Sequence, residues 1–343
     1  MLMFCPRNSV TARSAIAAAS LLAVATLGLS RPVQAADYTM KYGLLTIGDA
    51  QHHFADAAKV AIEKATKGRV EVKVFPRGQL GSATAHVEGL QLGTIEAFQA
   101  PIDFYVGVDP RGGVFSIPFM FKSLEQANRT LQDKKLYDSA LTLMESKGIV
   151  GGMIAAQAEG YYIAKNPLRK LSDFSGKKLR VNATDAERER MKRLGATAIP
   201  MGLAEMVTSL QSGVIDGTMS GISIHVNFNL DSISKVLLRT QDTMLVSYTG
   251  ISKKWLDTLP ADLRKTVVDT MRGMQPQMIA FANQDADVLT KKWIARGGSF
   301  IEWSKADMAE FHKKIDSVGD AVTAKDPAVN AYYKMVKATS AKY

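Results

Sequence analysis

Arg180 is the residue whose type and setting speak most directly of chemistry. It stands between Leu179 and Val181 in a short apolar run, and such a run reads as a buried strand. A guanidinium held there can grip a carboxylate through two parallel hydrogen bonds. Hydrogen bonds to charged groups contribute roughly 1.5–3 kcal/mol each, so losing the fork would weaken binding by roughly tenfold to several hundredfold. The same residue serves an internal ion pair equally well, because arginine is rarely buried without a partner.

Other polar candidates stand where strands should end, and ligands of open α/β sheets gather outside the carboxyl ends of strands. Gln51 and His52 follow the first strand, Gln99 and Asp103 follow the turn at Gly93, and Gln157 and Glu159 precede Gly160. Each fits a capping or surface role as readily as a ligand contact. The usual catalytic signatures are missing: no Gly-x-Ser-x-Gly elbow, no His-Glu-x-x-His pair, no phosphate loop and no Gly-x-Gly-x-x-Gly. The adjacent His52 and His53 would point to opposite sides of an extended segment and make a poor chelate. No carboxylate pair stands out as an acid/base couple. The pattern therefore nominates no catalytic residue, no metal site and no cofactor, and it ranks binding above catalysis.

These residues need a scaffold, which the apolar patterning supplies. Residues 38–47 read as a buried strand, followed by a polar loop at 48–52. A helix is expected over 54–67, with Phe54, Ala58 and Ile62 on one face and Gly68 as its stop. Residues 70–75 alternate as a second strand. Strand, helix, strand in that order indicates an α/β crossover with a mainly parallel sheet. Further extended runs fall at 149–155, 179–181 and 198–200, and helices at 186–194 and 203–212, with Gly213 closing the last. Residues 115–121, apolar around Pro118, read as core. A helix opening at Pro260 should be kinked or split by Pro276, and Ser304 with Asp307 has the form of a capping box.

The first residues bear on where the chain works. Arg7 and Arg13 precede an apolar run at 15–29, Arg31-Pro32 breaks it, and Val33-Gln34-Ala35 offers a cut site. The run is shorter than the roughly 20 residues of a spanning helix, so 1–35 reads as a removable export signal and the processed chain as not membrane-spanning. The only cysteine, Cys5, would leave with it, which excludes disulfides and thiolate chemistry and suits an oxidising compartment. Formal charge would fall from +10 to +7. The basic residues are dispersed rather than clustered, so no nucleic-acid partner is indicated.

Several separated stretches resemble the DctP-like solute-binding proteins of tripartite ATP-independent periplasmic (TRAP) transporters. They include Thr66-Lys67-Gly68-Arg69-Val70, Gly78-Gln79-Leu80-Gly81 and Ile117-Pro118-Phe119-Met120-Phe121. The densest runs from Leu171-Ser172-Asp173-Phe174-Ser175-Gly176 through Leu179-Arg180-Val181 to Leu210-Gln211-Ser212-Gly213-Val214-Ile215-Asp216-Gly217. The likeness extends over almost the whole mature chain in the family's order. It implies a two-lobed α/β fold of the periplasmic-binding-protein kind, with a ligand cleft between the lobes and a long connecting helix. The lobes would comprise 36–159 plus about 247–285, and 160–246 plus about 286–343. It also implies a periplasmic protein that captures a small organic acid and delivers it to TRAP-type membrane permease subunits.

In that family an arginine pairs with the ligand carboxylate, and Arg180 matches its position. Two positions depart from the pattern. Tyr162 stands where many members carry a second arginine, and Ser220 where many carry an asparagine. Both still donate hydrogen bonds, but the pocket is less cationic, which favours a monocarboxylate over a dicarboxylate. Leu203 matches a position where bulky residues face the ligand. A ligand sensor that docks a receptor stays open as an alternative client, as does a secreted enzyme at lower rank.

Overall fold

The computed structural model describes residues 36–182 and 184–343, and the export segment expected at 1–35 lies outside them. The strands are β1 (Tyr38–Leu44), β2 (Val70–Phe75), β3 (Ala97–Pro101), β4 (Ile149–Ala164), β5 (Lys178–Val181), β6 (Thr197–Pro200), β7 (Gly217–Ser220), β8 (Val236–Ser252) and β9 (Ser299–Ile301). They form one mixed sheet in the order β2-β1-β3-β8-β4-β7-β5-β6, with β9 beside β8. The pairs β1–β2 and β1–β3 are parallel, as are β5–β6 and β5–β7. Each parallel group makes the sheet of one lobe.

The two lobes are joined by β4 and β8, which are 16 and 17 residues long. At about 3.3 Å per residue each spans roughly 50 Å, enough to cross the molecule. One end of β8 pairs with β3 at Ser247–Ile251, while the other pairs with β9 at Val236–Leu238. β4 ends against β7 through Tyr161–Ala164. Along the β4–β8 ladder the register slips between Ala156 and Ala158 and again between Glu159 and Tyr161. Such bulges bend a strand and increase its twist. They lie where the chain passes from one lobe to the other.

The helix Gln275–Ala295 makes a further crossing. Its early residues Met278 and Ala282 pack with β1 and β2, and its later residues Leu289 and Trp293 pack with the second lobe's Met206 and Leu210. Pro276 sits in its first turn, and the preceding helix ends at Gly273. The proline thus splits the apolar stripe into two helices, since it lacks the N–H a helix interior needs.

Two expectations are corrected. The helix expected from residue 54 starts at Ala50, because Asp49 is its N-cap and accepts the His52 N–H. Gln51 and His52 therefore occupy a first helical turn, not a loop. The C-terminus, expected wholly in the second lobe, divides. Asp307 accepts from the Leu171 N–H and Trp303 packs edge-on against Phe174 in that lobe. The last helix, Pro327–Ser340, returns to the first lobe, where Tyr332 meets Phe115 and Gln126 donates to the Ser340 carbonyl at 2.7 Å. Its apolar face, with Tyr332, Tyr333 and Val336 buried, fits the surface offered by Val114, Phe115 and Phe121.

Candidate ligand-binding site

Three cavities run in series along the cleft between the lobes. The innermost is small, about 30 Å³, and is walled by Arg180, Asn182, Ser220, Gln51, Gln157 and Leu203 among others. It shares Gln51, Gln157 and Ser223 with a chamber of about 360 Å³ on one side. On the other side it shares Leu45, Thr46, Phe104 and Leu203 with a chamber of about 480 Å³. A cavity needs roughly 10–15 Å³ of solvent-accessible space to admit one water molecule. The inner cavity accordingly holds one small polar group, and anything larger must extend into a neighbouring chamber.

Arg180 lies near the carboxyl end of β5, paired with Ile199 on one side and Thr218 on the other, and it lines the inner cavity. It is 2% exposed. Its Nε donates to the Met201 carbonyl at 2.9 Å, while its Nη2 is buried with no partner. Burial depresses the guanidinium to about 10, against the opposing pull of the Glu187 and Asp103 charges. The group remains a cation at neutral pH. A buried cation with an unused donor beside a cavity can take an anion there, because leaving it unpaired is costly.

The remaining expected residues divide. Ser220, at the end of β7, lines the inner cavity, as do Gln51, Gln157 and Leu203. Glu159 lines only the 360 Å³ chamber, where it accepts from Arg239 Nε at 2.9 Å and Nη2 at 3.0 Å. His52 lines none of the three cavities: its Nδ1 accepts from the Gly48 N–H, and its Nε2 lies 3.8 Å from Asp56. Helical geometry turns it away from the cleft that its neighbour Gln51 faces. Tyr162 also lines none of them. It is 1% exposed, packs edge-on against Phe174, and lies under the Arg190 guanidinium. The strand's alternation, with Tyr161 on the chamber side, buries its neighbour in the core.

Gln99 is fully buried within the sheet, bonded to Tyr42 and Ser247. Asp103 accepts from Ser116 and from Asn182 Nδ2 at 3.0 Å. Burial, reinforced by the Glu187 charge, pushes its carboxyl up to about 7. This contact ties the first lobe to the second. A second tie runs from Asn227 Nδ2 to the Ile47 carbonyl at 3.0 Å. Sequence reasoning missed Asn182, although period-two alternation from Arg180 puts it on the same strand face. It also missed Arg239 and Asp285, which come from distant segments with no local signal.

Comparison with known proteins fits this geometry. The family model for the bacterial extracellular solute-binding protein, family 7 (DctP), matches residues 45–326. The uncharacterized protein YiiZ of Salmonella typhimurium is 32% identical over 157 residues, covering 46% of this chain and 48% of that protein, about half of each. The C4-dicarboxylate-binding periplasmic protein DctP of Rhodobacter capsulatus is 30% identical over 245 residues, covering 70% of this chain and 72% of that one. A TRAP periplasmic solute binding protein from Xanthobacter autotrophicus, solved with bound β-D-galacturonate, superimposes with a TM-score of 0.81 at 26% identity, covering 87% of this chain and 99% of that one. With the family model matched over most of its length, and an anion-ready cavity between two lobes, the chain belongs to the family 7 bacterial extracellular solute-binding proteins, the solute-binding proteins of TRAP transporters.

Proposed function

We propose that this protein captures a small organic acid in the periplasm, holds its carboxylate on Arg180, and hands it to a TRAP-type permease without making or breaking a bond. The observation that carries this reading is the buried, unpartnered Nη2 of Arg180, a residue that lines the cavity between the lobes. Asn182 and Ser220 flank the same space and supply neutral donors for the second carboxylate oxygen. The relatives lend chemical support: one is a C4-dicarboxylate-binding protein and another holds galacturonate, so both ligands carry a carboxylate. Residues 1–35 would direct export and be removed after Ala35. No helix among the described residues is long and apolar enough to cross a membrane. The lobes close because the acid bridges them, the second lobe contributing Arg180 and the first Gln51 and Thr46.

The test is calorimetric titration of the processed chain, residues 36–343, with a panel of mono-, di- and hydroxycarboxylic acids, against the Arg180→Ala variant. At least one acid should bind, and the variant should lose at least about tenfold in affinity, the loss of the charge-assisted hydrogen bond that Nη2 is free to make. Equal affinity in the variant would remove Arg180 from the site.

A further inference from the structure

Resting on that reading, we infer that the acid is a polyhydroxylated monocarboxylate whose hydroxyl-bearing body occupies the 360 Å³ chamber beside Gln157, Glu159, Arg239 and Asp285. The inner cavity has room for the carboxylate alone, so the body must enter one of the two adjoining chambers. The walls of the two differ in kind. The larger is mostly apolar where it meets the inner cavity, through Leu45, Phe104 and Leu203. The smaller meets it through Gln51, Gln157 and Ser223, all hydrogen-bonding side chains.

Thr46 Oγ1 is unpartnered on the larger chamber's side, but a hydroxyl serves as donor or acceptor, whereas Gln157 presents a fixed acceptor to the smaller one. The Gln157 Oε1 is buried without a partner at the junction of the inner cavity and the smaller chamber. An orphaned acceptor there calls for a donor on the ligand, near the carboxylate that Arg180 holds, and a hydroxyl supplies it. Beyond it stand Glu159, Asn283, Asp285 and Gln241. Planar carboxylate and amide groups of this sort take neighbouring hydroxyls as donors and acceptors together.

The same walls argue against a second carboxylate on the ligand. The chamber carries Asp49, Glu125, Glu159 and Asp285, and its one guanidinium, Arg239, is already held at Nε and Nη2 by Glu159. Arg239 also reaches Glu302 at 3.5 Å. Asp285 is raised to about 6 by burial and by the charge of Asp49, so the chamber already resists its own negative charge. A dianion would bring a further like charge into it. A neutral, hydroxylated body meets no such repulsion.

The test compares acids of matched length by calorimetric titration of residues 36–343. D-gluconate, D-galactonate, L-gulonate and D-galacturonate carry the hydroxyls, hexanoate lacks them, and adipate and succinate carry a second carboxylate. The best hydroxylated acid should bind at least 100-fold more tightly than hexanoate, adipate or succinate, since sites that bury hydrogen-bonding groups reject analogues lacking the partner. Gln157→Leu should remove at least tenfold of that preference with an unchanged melting temperature. Glu159→Gln should release Arg239 and raise the adipate-to-gluconate affinity ratio at least tenfold. Hexanoate, adipate or succinate binding as tightly as the best hydroxylated acid, still dependent on Arg180, would overturn this inference and leave the carboxylate reading intact. Failure of every acid to bind would overturn both.

Discussion

At the residue scale, the molecule assigns the two roles open to a strand- or helix-borne arginine to two different residues. Arg190, fully buried, donates to Asp242 at 2.7 Å and to Thr243. Burial alone would lower it, but Tyr162, Asp242 and Glu187 overcome that and hold it protonated. It is the internal ion pair. Arg180 has no such carboxylate and spends its fork on one carbonyl and a cavity. The difference is measurable in the ligand-free protein by denaturant unfolding. Arg190→Met would strand Asp242 as a buried, unpaired charge, and should cost about 3–5 kcal/mol. Arg180→Met removes an unpaired buried cation, and should leave stability unchanged or raise it by about 1 kcal/mol. Similar losses in both variants would show that Arg180 stabilises the fold rather than waiting for a ligand.

At the element scale, what was legible in the sequence was whatever local spacing dictates. The helix Leu203–Ser212 ends at Gly213 in the left-handed region, as its glycine indicates. Pro276 divides two helices, and the Ser304 cap forms with Asp307. The register of β4 was not legible, because its bulges arise from the β8 strand it pairs with, some 90 residues away in sequence. One residue of slip exchanges Tyr161 for Tyr162 at the chamber, since side chains alternate faces. The site thus depends on how strands are seated, and β7 offers a way to disturb that. Gly217 pairs with Ala164, and a Cβ there would stand 2.3 Å from the Ile163 carbonyl oxygen. That neighbour is backbone and cannot swing aside. Gly217→Ala should push β7 off β4, lower stability by about 1–3 kcal/mol, and weaken acid binding by shifting Ser220. Thermal unfolding and titration on one sample check both, and a wild-type-like result in each would mean the ladder yields more freely than its geometry indicates.

At the scale of the whole molecule, the lobes meet through few polar contacts among the described residues, and one of them titrates. Asp103 of the first lobe accepts from Asn182 of the second, and its neighbours are Ser116, Glu187, Arg190 and Arg180. Burial first, then the Glu187 charge, lifts its carboxyl to about 7, from 3.8 in an unperturbed chain. The folded protein therefore binds this proton more tightly than the unfolded chain does. Its contribution to stability is fully present below pH 4 and declines as pH rises toward 7. Above that, both states are ionised and the contribution is constant. Asp103→Asn abolishes the titration while keeping the shape and one acceptor oxygen. The variant's melting temperature should therefore gain on that of the wild type as pH rises from 4 to 7, and then run parallel to it. Taking the difference between the two proteins cancels the titration of the carboxylates and histidines they share. Parallel curves across the entire range would mean that Asp103 ionises normally under the closed lobes, with Asn182 and Arg190 offsetting the cost of its burial.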